Sequence, residues 1–349
     1  MLAQGYRVLG ATSREERSIR DRLVILCYHR VLPSESKAAY FQPDLVVTPE
    51  ALRSHCRTLR EHYEVRTLRN AWAELRSGYQ HERPLAAITF DDGYRDNIRW
   101  AAPILAEFDL KATFLVVSDL VGGDSPPWYD RIGKAVQVCN DRSRSPKEQM
   151  ELRRILDGVF KPGSGVGERT PRQVVALAKK LSSERREGLK EELESRAGIG
   201  RRFGSDDLIM SGAELTQLDV AGHEIGSHSR SHPILPMLDD GTLREEIVGS
   251  RAALEAMLGR RVHSFCYPNG DSDERVEQVV REAGYECATS VEFGVNRAME
   301  NPFRLRRWFM HEDRLRGMSG AASSALLRME LCGLADRVFR RRRTERFLA

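Results

Sequence analysis

Asp91 and Asp92 stand side by side where an apolar run stops, in Leu85-Ala86-Ala87-Ile88-Thr89-Phe90-Asp91-Asp92-Gly93-Tyr94, and His228 and His232 follow far downstream, four residues apart. Two imidazoles and one carboxylate are a donor set that can hold a divalent metal while leaving positions open for water, as catalytic zinc sites do. The second carboxylate would then be available as a base beside it. On a flat strand neighbouring side chains diverge. Gly93 ends the run, however, and a turn there can swing both carboxylates toward one pocket. Asp-Asp-Gly alone is an ordinary turn; the weight of the pair comes from where the other polar groups fall.

Those positions are set by alternating strands and helices. Leu23 to Tyr28 is an unbroken apolar run of strand length, suited to a strand buried on both faces. Leu85 to Phe90 is a second, and Lys111 to Val117 a third. Thr48-Pro49 opens a helix with a threonine N-cap and a proline at the first helical position. Ser211-Gly212-Ala213-Glu214 is a capping box, and Gly259 and Gly284 stop later helices. Short strands are expected at 223–227, 262–267 and 285–290. This alternation implies an α/β architecture with a parallel sheet, and ligands gather at the carboxyl ends of such strands. His29, the Asp91-Asp92 pair, His228 and Tyr267-Pro268-Asn269 lie at four of these ends.

Between about Gly122 and Asp207 the rhythm breaks. The segment is rich in Arg, Lys and Glu and is punctuated by Ser-Pro, Thr-Pro and Gly-Ser-Gly. Such a length cannot be a bare loop in a compact domain, so it reads as a helical insertion of two or three polar helices, one opened by Thr170-Pro171.

Composition is that of a globular chain: 349 residues, 41% hydrophobic and 30% charged. A net charge of +4, set against 55 Lys and Arg and 51 Asp and Glu, gives no electrostatic footprint for nucleic acid. The six cysteines are scattered, without a CxxC pair, as reduced and buried thiols of a cytoplasmic protein would be. Met1 to Arg22 lacks the apolar core of a secretory signal. No run approaches about 18 apolar residues, the length of a membrane span. A cytoplasmic location is the expectation. The tail from Ala325 to Arg343 places Leu327, Leu331, Leu334 and Val338 ahead of Arg340-Arg341-Arg342-Arg343. It reads as a basic helix, packed on the protein or solvated, with peripheral contact to an anionic membrane face as the other reading.

Jointly, Thr89-Phe90-Asp91-Asp92-Gly93-Tyr94 and His228-Ser229-Arg230-Ser231-His232 resemble the first two motifs of the polysaccharide deacetylases, the NodB-homology carbohydrate esterases. Leu26-Cys27-Tyr28-His29-Arg30-Val31, Gly222 to His228 and Phe265-Cys266-Tyr267-Pro268-Asn269-Gly270 add to the resemblance, which covers about 23–118 and 208–311. It implies a distorted (β/α) barrel of about seven strands with a helical insertion. The barrel halves would be 23–121 and 208–318, the insertion 122–207, an N-terminal extension 1–22 and a basic C-terminal helix 319–349.

The resemblance also implies metal-dependent removal of N-acetyl groups from an amino-sugar glycan, whether polysaccharide, oligosaccharide or lipid-linked precursor. Asp92, His228 and His232 would bind the metal, usually zinc, with Asp91 as the base. A backbone N–H near Tyr267, Pro268 and Asn269 would help stabilise the oxyanion. The third motif departs from the family pattern. Cys266 stands where an arginine usually orients the catalytic aspartate, and a neutral thiol makes no charge-assisted hydrogen bonds to a carboxylate. Arg307, in Leu305-Arg306-Arg307-Trp308 after the last apparent strand, is the candidate replacement. Phe309-Met310-His311-Glu312-Asp313 resembles the fifth motif and makes His311 the candidate acid, with His29 as its rival. Trp128-Tyr129-Asp130 reads as a buried anchor rather than a sugar-stacking platform. The alternatives are an amidase acting on a non-sugar amide and, if the arginine is lost, a catalytically weak glycan-binding protein.

Overall fold

The apolar runs at 23–28 and 85–90 become neighbouring parallel strands, paired from Leu23 opposite Leu85 to Tyr28 opposite Phe90. A computed structural model describes residues 12–16, 18–78, 82–141, 145–160, 170–199, 203–317 and 319–338. Its strands are β1 (Arg22–Tyr28), β2 (Arg30–Val31), β3 (Val46–Val47), β4 (Glu64–Arg66), β5 (Leu85–Phe90), β6 (Thr113–Val116), β7 (Glu224–Ser227), β8 (Ser264–Cys266), β9 (Cys287–Thr289), β10 (Asn296–Arg297) and β11 (Trp308–Phe309). The main sheet runs β10-β1-β5-β6-β7-β8-β9, with β4 beside β5 and β11 beside β1. All its pairings are parallel except β1 with β10.

The sheet curls because one segment bonds to both of its edges. Leu305 exchanges backbone hydrogen bonds with Ala288 and Ser290 beside β9, and three residues later β11 begins to pair with β1. The result is the expected distorted barrel. Alternate residues of the apolar strands then serve two cores. Val24, Leu26, Ala86, Ile88 and Phe90 face the surrounding helices. Leu23, Ile25, Leu85 and Ala87 instead meet Cys287 and Leu305, from strands that are not their neighbours, so this second set lies inside the curl. Leu68, Ala71, Trp72 and Leu75 of the Leu68–Arg76 helix plug its lower end. The inward phase continues up the strands through Cys27 to His29 and through Thr89 to Asp91.

Among the described residues, the segment at 122–207 holds four α-helices rather than two or three: Trp128–Cys139, Pro146–Val159, Pro171–Ala178 and Ser183–Ala197. The Thr170-Pro171 start is present, with Thr170 accepting from the Gln173 N–H in a capping box. These helices are not merely polar. Tyr129, Ile132, Val136, Val174, Val175 and Leu193 join the core that covers the outside of the barrel. Trp128 is an anchor, as expected, with the Arg186 guanidinium 4.4 Å above its ring.

In the tail, Leu327 and Leu331 of the Ser324–Leu331 helix are fully buried and Leu334 packs against the same core. That apolar face is occupied by the protein itself, so the peripheral membrane reading gains no support. Arg340 to Arg343 lie outside the described residues. No helix among the described residues is long and apolar enough to cross a membrane.

A fully buried arginine ties the strap at 33–45 to the barrel. Arg30 donates to Asp96 at 2.8 Å, Asp207 at 3.0 Å and the Asp206 carbonyl at 2.7 Å. Its guanidinium also lies 4.7 Å from the Tyr40 ring and 4.4 Å from the Tyr94 ring. Tyr40 and Tyr94 in turn donate to the two oxygens of buried Asp130 in the first insertion helix. Removing one partner of a buried charge pair strands the other, at a cost of about 3–5 kcal/mol. Arg30→Ala is therefore expected to lose stability on that scale in urea unfolding, and a loss within about 0.5 kcal/mol, as for ordinary surface changes, would refute this role.

Candidate active site and metal centre

Asp92 reaches the pocket by a backbone turn that few residues adopt. Its φ is 71° and that of Gly93 is 83°, so two successive left-handed residues turn the second carboxylate back toward the first. Asp91 and Asp92 then line the same cavity. Ser229, His232 and Asn269 also have positive φ, at 65°, 61° and 56°. Among the described residues, three of the five such non-glycine residues, Asp92, His232 and Asn269, line one pocket. Conformations of this kind cost about 1–3 kcal/mol each and persist where the surroundings impose them, commonly at functional sites.

The loop between the histidines is held by Glu246. One of its oxygens accepts from the Arg230 and Ser231 N–H groups, both at 2.9 Å, and the other from the Ser231 hydroxyl at 2.6 Å. The Ser229 hydroxyl accepts from the His232 N–H at 3.0 Å. His228 Nδ1 lies 2.9 Å from the Cys266 carbonyl, a contact that only a protonated Nδ1 can make, so in the neutral ring that a metal ligand must be, Nε2 carries the lone pair. Nε2 of His228 and Nε2 of His232 are 3.8 and 3.7 Å from Asp92 Oδ1. All three residues are buried, and they form a group whose ligand atoms lie within 4.8 Å of one another. A four-coordinate ion with bonds of about 2.0–2.2 Å has edges only slightly shorter than these separations. The donor set therefore fits a divalent metal. Tyr129 donates to Asp92 Oδ1 at 3.0 Å, a contact from the insertion that the local sequence does not signal.

Asp91 sits at the inward-facing end of β5, bound by Arg307. The guanidinium donates to Oδ1 at 2.7 Å and to Oδ2 at 2.8 Å, and its Nε–H is fixed on the Ser290 carbonyl at 2.9 Å. Cys27 and Cys266 each lie 3.6 Å from Asp91 Oδ2, and Arg307 Nη2 is 3.2 Å from the Cys266 sulfur. Burial raises the Asp91 carboxyl, but Arg307 and then His29 outweigh it and hold the group well below the usual carboxylate range. Cys266 thus stands where the arginine was expected, while Arg307 supplies the charge from the segment leading into β11.

The two candidate acids part company here. His29 lines the cavity, with Nε2 4.0 Å from Asp91 Oδ2. The expectation for His311 is not met in the same way: its ring packs on Phe309 at 4.7 Å, and Phe309 rather than His311 forms the wall. Tyr267 and Asn269 line the cavity and Pro268 does not. The Tyr267 N–H is directed to the Thr289 carbonyl at 3.3 Å and its hydroxyl to the Phe303 carbonyl at 2.9 Å. The backbone donor expected there is therefore already engaged at Tyr267. Lys179, at the end of the Pro171–Ala178 helix, reaches the same wall and donates to Asn269 Oδ1. Burial lowers Lys179 to about 8. The cavity measures about 40 Å³, room for roughly three waters.

Comparison with known proteins gives this geometry a setting. The family model for polysaccharide deacetylases matches residues 78–150 and 199–288. The putative polysaccharide deacetylase YxkH of Bacillus subtilis (strain 168) is 29% identical over 102 residues, which is 29% of this chain and 34% of that protein. The match thus spans about a third of that relative's length. Among solved structures, the Streptococcus pyogenes deacetylase PplD in complex with acetate aligns with a TM-score of 0.58 at 16% identity, over 89% of this chain and 98% of that one. IcaB from Ammonifex degensii aligns at 0.56 and 17% identity, over 89% and 97%. At such identities the structures establish the fold, and the sequence match carries the relationship. The motifs at the strand ends, the family match and the curled sheet agree: the chain is similar to the polysaccharide deacetylases in its matched segments and shares their fold.

Proposed function

We propose that the protein is a metal-dependent hydrolase that removes N-acetyl groups from an amino-sugar glycan. The observation that carries this reading is the Asp91–Arg307 pair set beside Asp92, His228 and His232 in one small cavity. Asp92, His228 and His232 would hold a divalent cation, zinc first. When bound it supplies Lewis acidity, lowering the pKa of water and polarising the carbonyl. Asp91 accepts the proton as water attacks the acetamide carbon. Arg307 keeps Asp91 ionised and fixed in orientation while leaving acceptor capacity on Oδ1. His29 Nε2 lies 4.0 Å from the other oxygen of that carboxylate, Oδ2, and His29 is the imidazole placed to take the proton on and deliver it to the departing nitrogen. The products are acetate and the free amine. The cavity's size suits an acetamido group and not a sugar ring, which stays at the mouth.

Glycan specificity and the metal's identity rest on the family resemblance and the donor set. The catalytically weak alternative loses its motive, because an arginine does hold Asp91. Acetate release from N-acetylglucosamine oligomers, measured with and without chelator, tests the whole reading; chelator-insensitive release would remove the metal from it.

Four sets of variants separate the roles. Asp91→Asn is expected to keep bound metal and lose at least about 10²-fold in kcat, the low end for general-base loss. Asp92→Asn, His228→Ala and His232→Ala should instead lose metal, read by elemental analysis. Arg307→Lys keeps the buried charge but not the fork, so folding and metal content should survive while kcat falls by about 10²-fold, as when an oriented charge-assisted contact is lost. His29→Gln should lower kcat by about 10²-fold or more, with His311→Gln changing it less than about fivefold. The reverse ranking would return the acid to His311.

A further inference from the structure

The Tyr267 N–H, the backbone donor expected to meet the oxygen that becomes negative when the acetamide is attacked, points instead to Thr289. Two side-chain donors line the same wall. Lys179 lies on a segment between the two stretches that the family model matches, and it borders the cavity with Asp92, His228 and His232. Its ammonium is held by Asn269 Oδ1. The other end of that amide, Asn269 Nδ2, is buried and has no hydrogen-bond partner among the described residues, although a buried donor left unpaired costs about 1–3 kcal/mol. Asn269 is itself held at a φ of 56°, so strained backbone aims this amide. The cavity is small, so an acetamido group entering it would come within reach of these donors.

Resting on the deacetylase reading above, we propose that Lys179 is a further catalytic residue: with the Asn269 amide it forms an oxyanion wall that stabilises the acetamide oxygen during attack and holds the acetate formed. In the step concerned a C–O bond forms from water to the carbonyl carbon and the carbonyl π pair moves to oxygen, facing the two donors. The water proton goes to Asp91. Asp91 passes that proton to His29, the C–N bond breaks, the nitrogen leaves as the amine carrying it, and the carbonyl re-forms in acetic acid, which ionises to acetate. The insertion, through Lys179 and the Tyr129 contact to Asp92, completes a site that the barrel alone leaves open.

The test uses the full chain with its metal, and sodium acetate as the probe. The expected result for Lys179→Met is acetate affinity at least tenfold weaker than wild type. Its kcat should fall about 10²–10³-fold, the range seen when one oxyanion donor is removed, with KM within about threefold, unchanged metal content and an unchanged melting temperature. Asn269→Ala should move acetate affinity and kcat in the same direction and provides the readout if Lys179→Met does not fold. Wild-type acetate affinity in a folded Lys179→Met protein would overturn the proposal, as would a rise in KM confined to acidic glycans with kcat retained. If wild type releases no acetate from any glycan yet binds it through Lys179, the deacetylase reading fails and the anion-holding wall stands.

Discussion

A carboxylate and a guanidinium buried together inside a closing sheet are the constraint on which this structure depends. Asp91 and Arg307 are each 2% exposed, and burying either charge alone costs several kcal/mol. The pair is tolerable because the geometry is bidentate and the remaining donors have partners in Ser290, Thr89 and Cys266. That arrangement requires β5, β8 and the segment after β9 to meet at one height in the barrel. Closure by Leu305 and β11 is what brings Arg307 there. The site and the fold thus share one condition, and a barrel left open at that edge would leave Asp91 buried without a counter-charge.

The same inward phase explains why chemistry begins where packing ends. Lower in the barrel the alternating inward positions are Leu23, Ile25, Leu85 and Ala87, closed by Trp72 and its neighbours. Higher up they become Cys27, Thr89 and Cys266, small groups that leave room for a guanidinium. At the rim they are His29 and Asp91. The thiols take up volume beside the ion pair without adding charge, and burial pushes the Cys27 thiol up, so it stays protonated. An arginine at position 266 would place a second cation against Arg307.

Much of this was legible in the sequence because it is written locally. The β1 and β5 runs, the Thr48, Thr170 and Ser211 caps and the Asp-Asp-Gly and His-x-x-x-His motifs depend on residues a few positions apart. Arg307 was legible for a different reason: a charged pair must be completed somewhere, and the end of the last strand was the available place. What escaped was long-range or conformational. Tyr129 lies 37 residues from Asp92, and Glu246 braces the histidine loop from a helix that reads simply as amphipathic. Lys179 sits in a stretch whose charge resembles any solvated helix. The left-handed φ values of Asp92, Ser229 and His232 have no glycine to announce them. His311 illustrates the opposite error, since local resemblance placed it correctly in sequence but could not say which side of Phe309 would face the cavity.

The insertion shows why such residues cannot be assigned by composition. A polar helix on the outside of a barrel normally tolerates substitution within about 0.5 kcal/mol. Here the Trp128–Cys139 and Pro171–Ala178 helices bury Tyr129 and Val175 against the barrel, and the first carries Asp130, the shared acceptor of Tyr40 and Tyr94. Phe41 packs on Gly133 of that helix, leaving no room for a side chain there. The strap and the insertion therefore fix one another, and between them they set the width of the cavity. A barrel rim supplies metal ligands and a base on rigid strand ends, but a rim alone is open to water. Low dielectric around developing charge, which gives oriented donors their strength, comes from the elements laid across it.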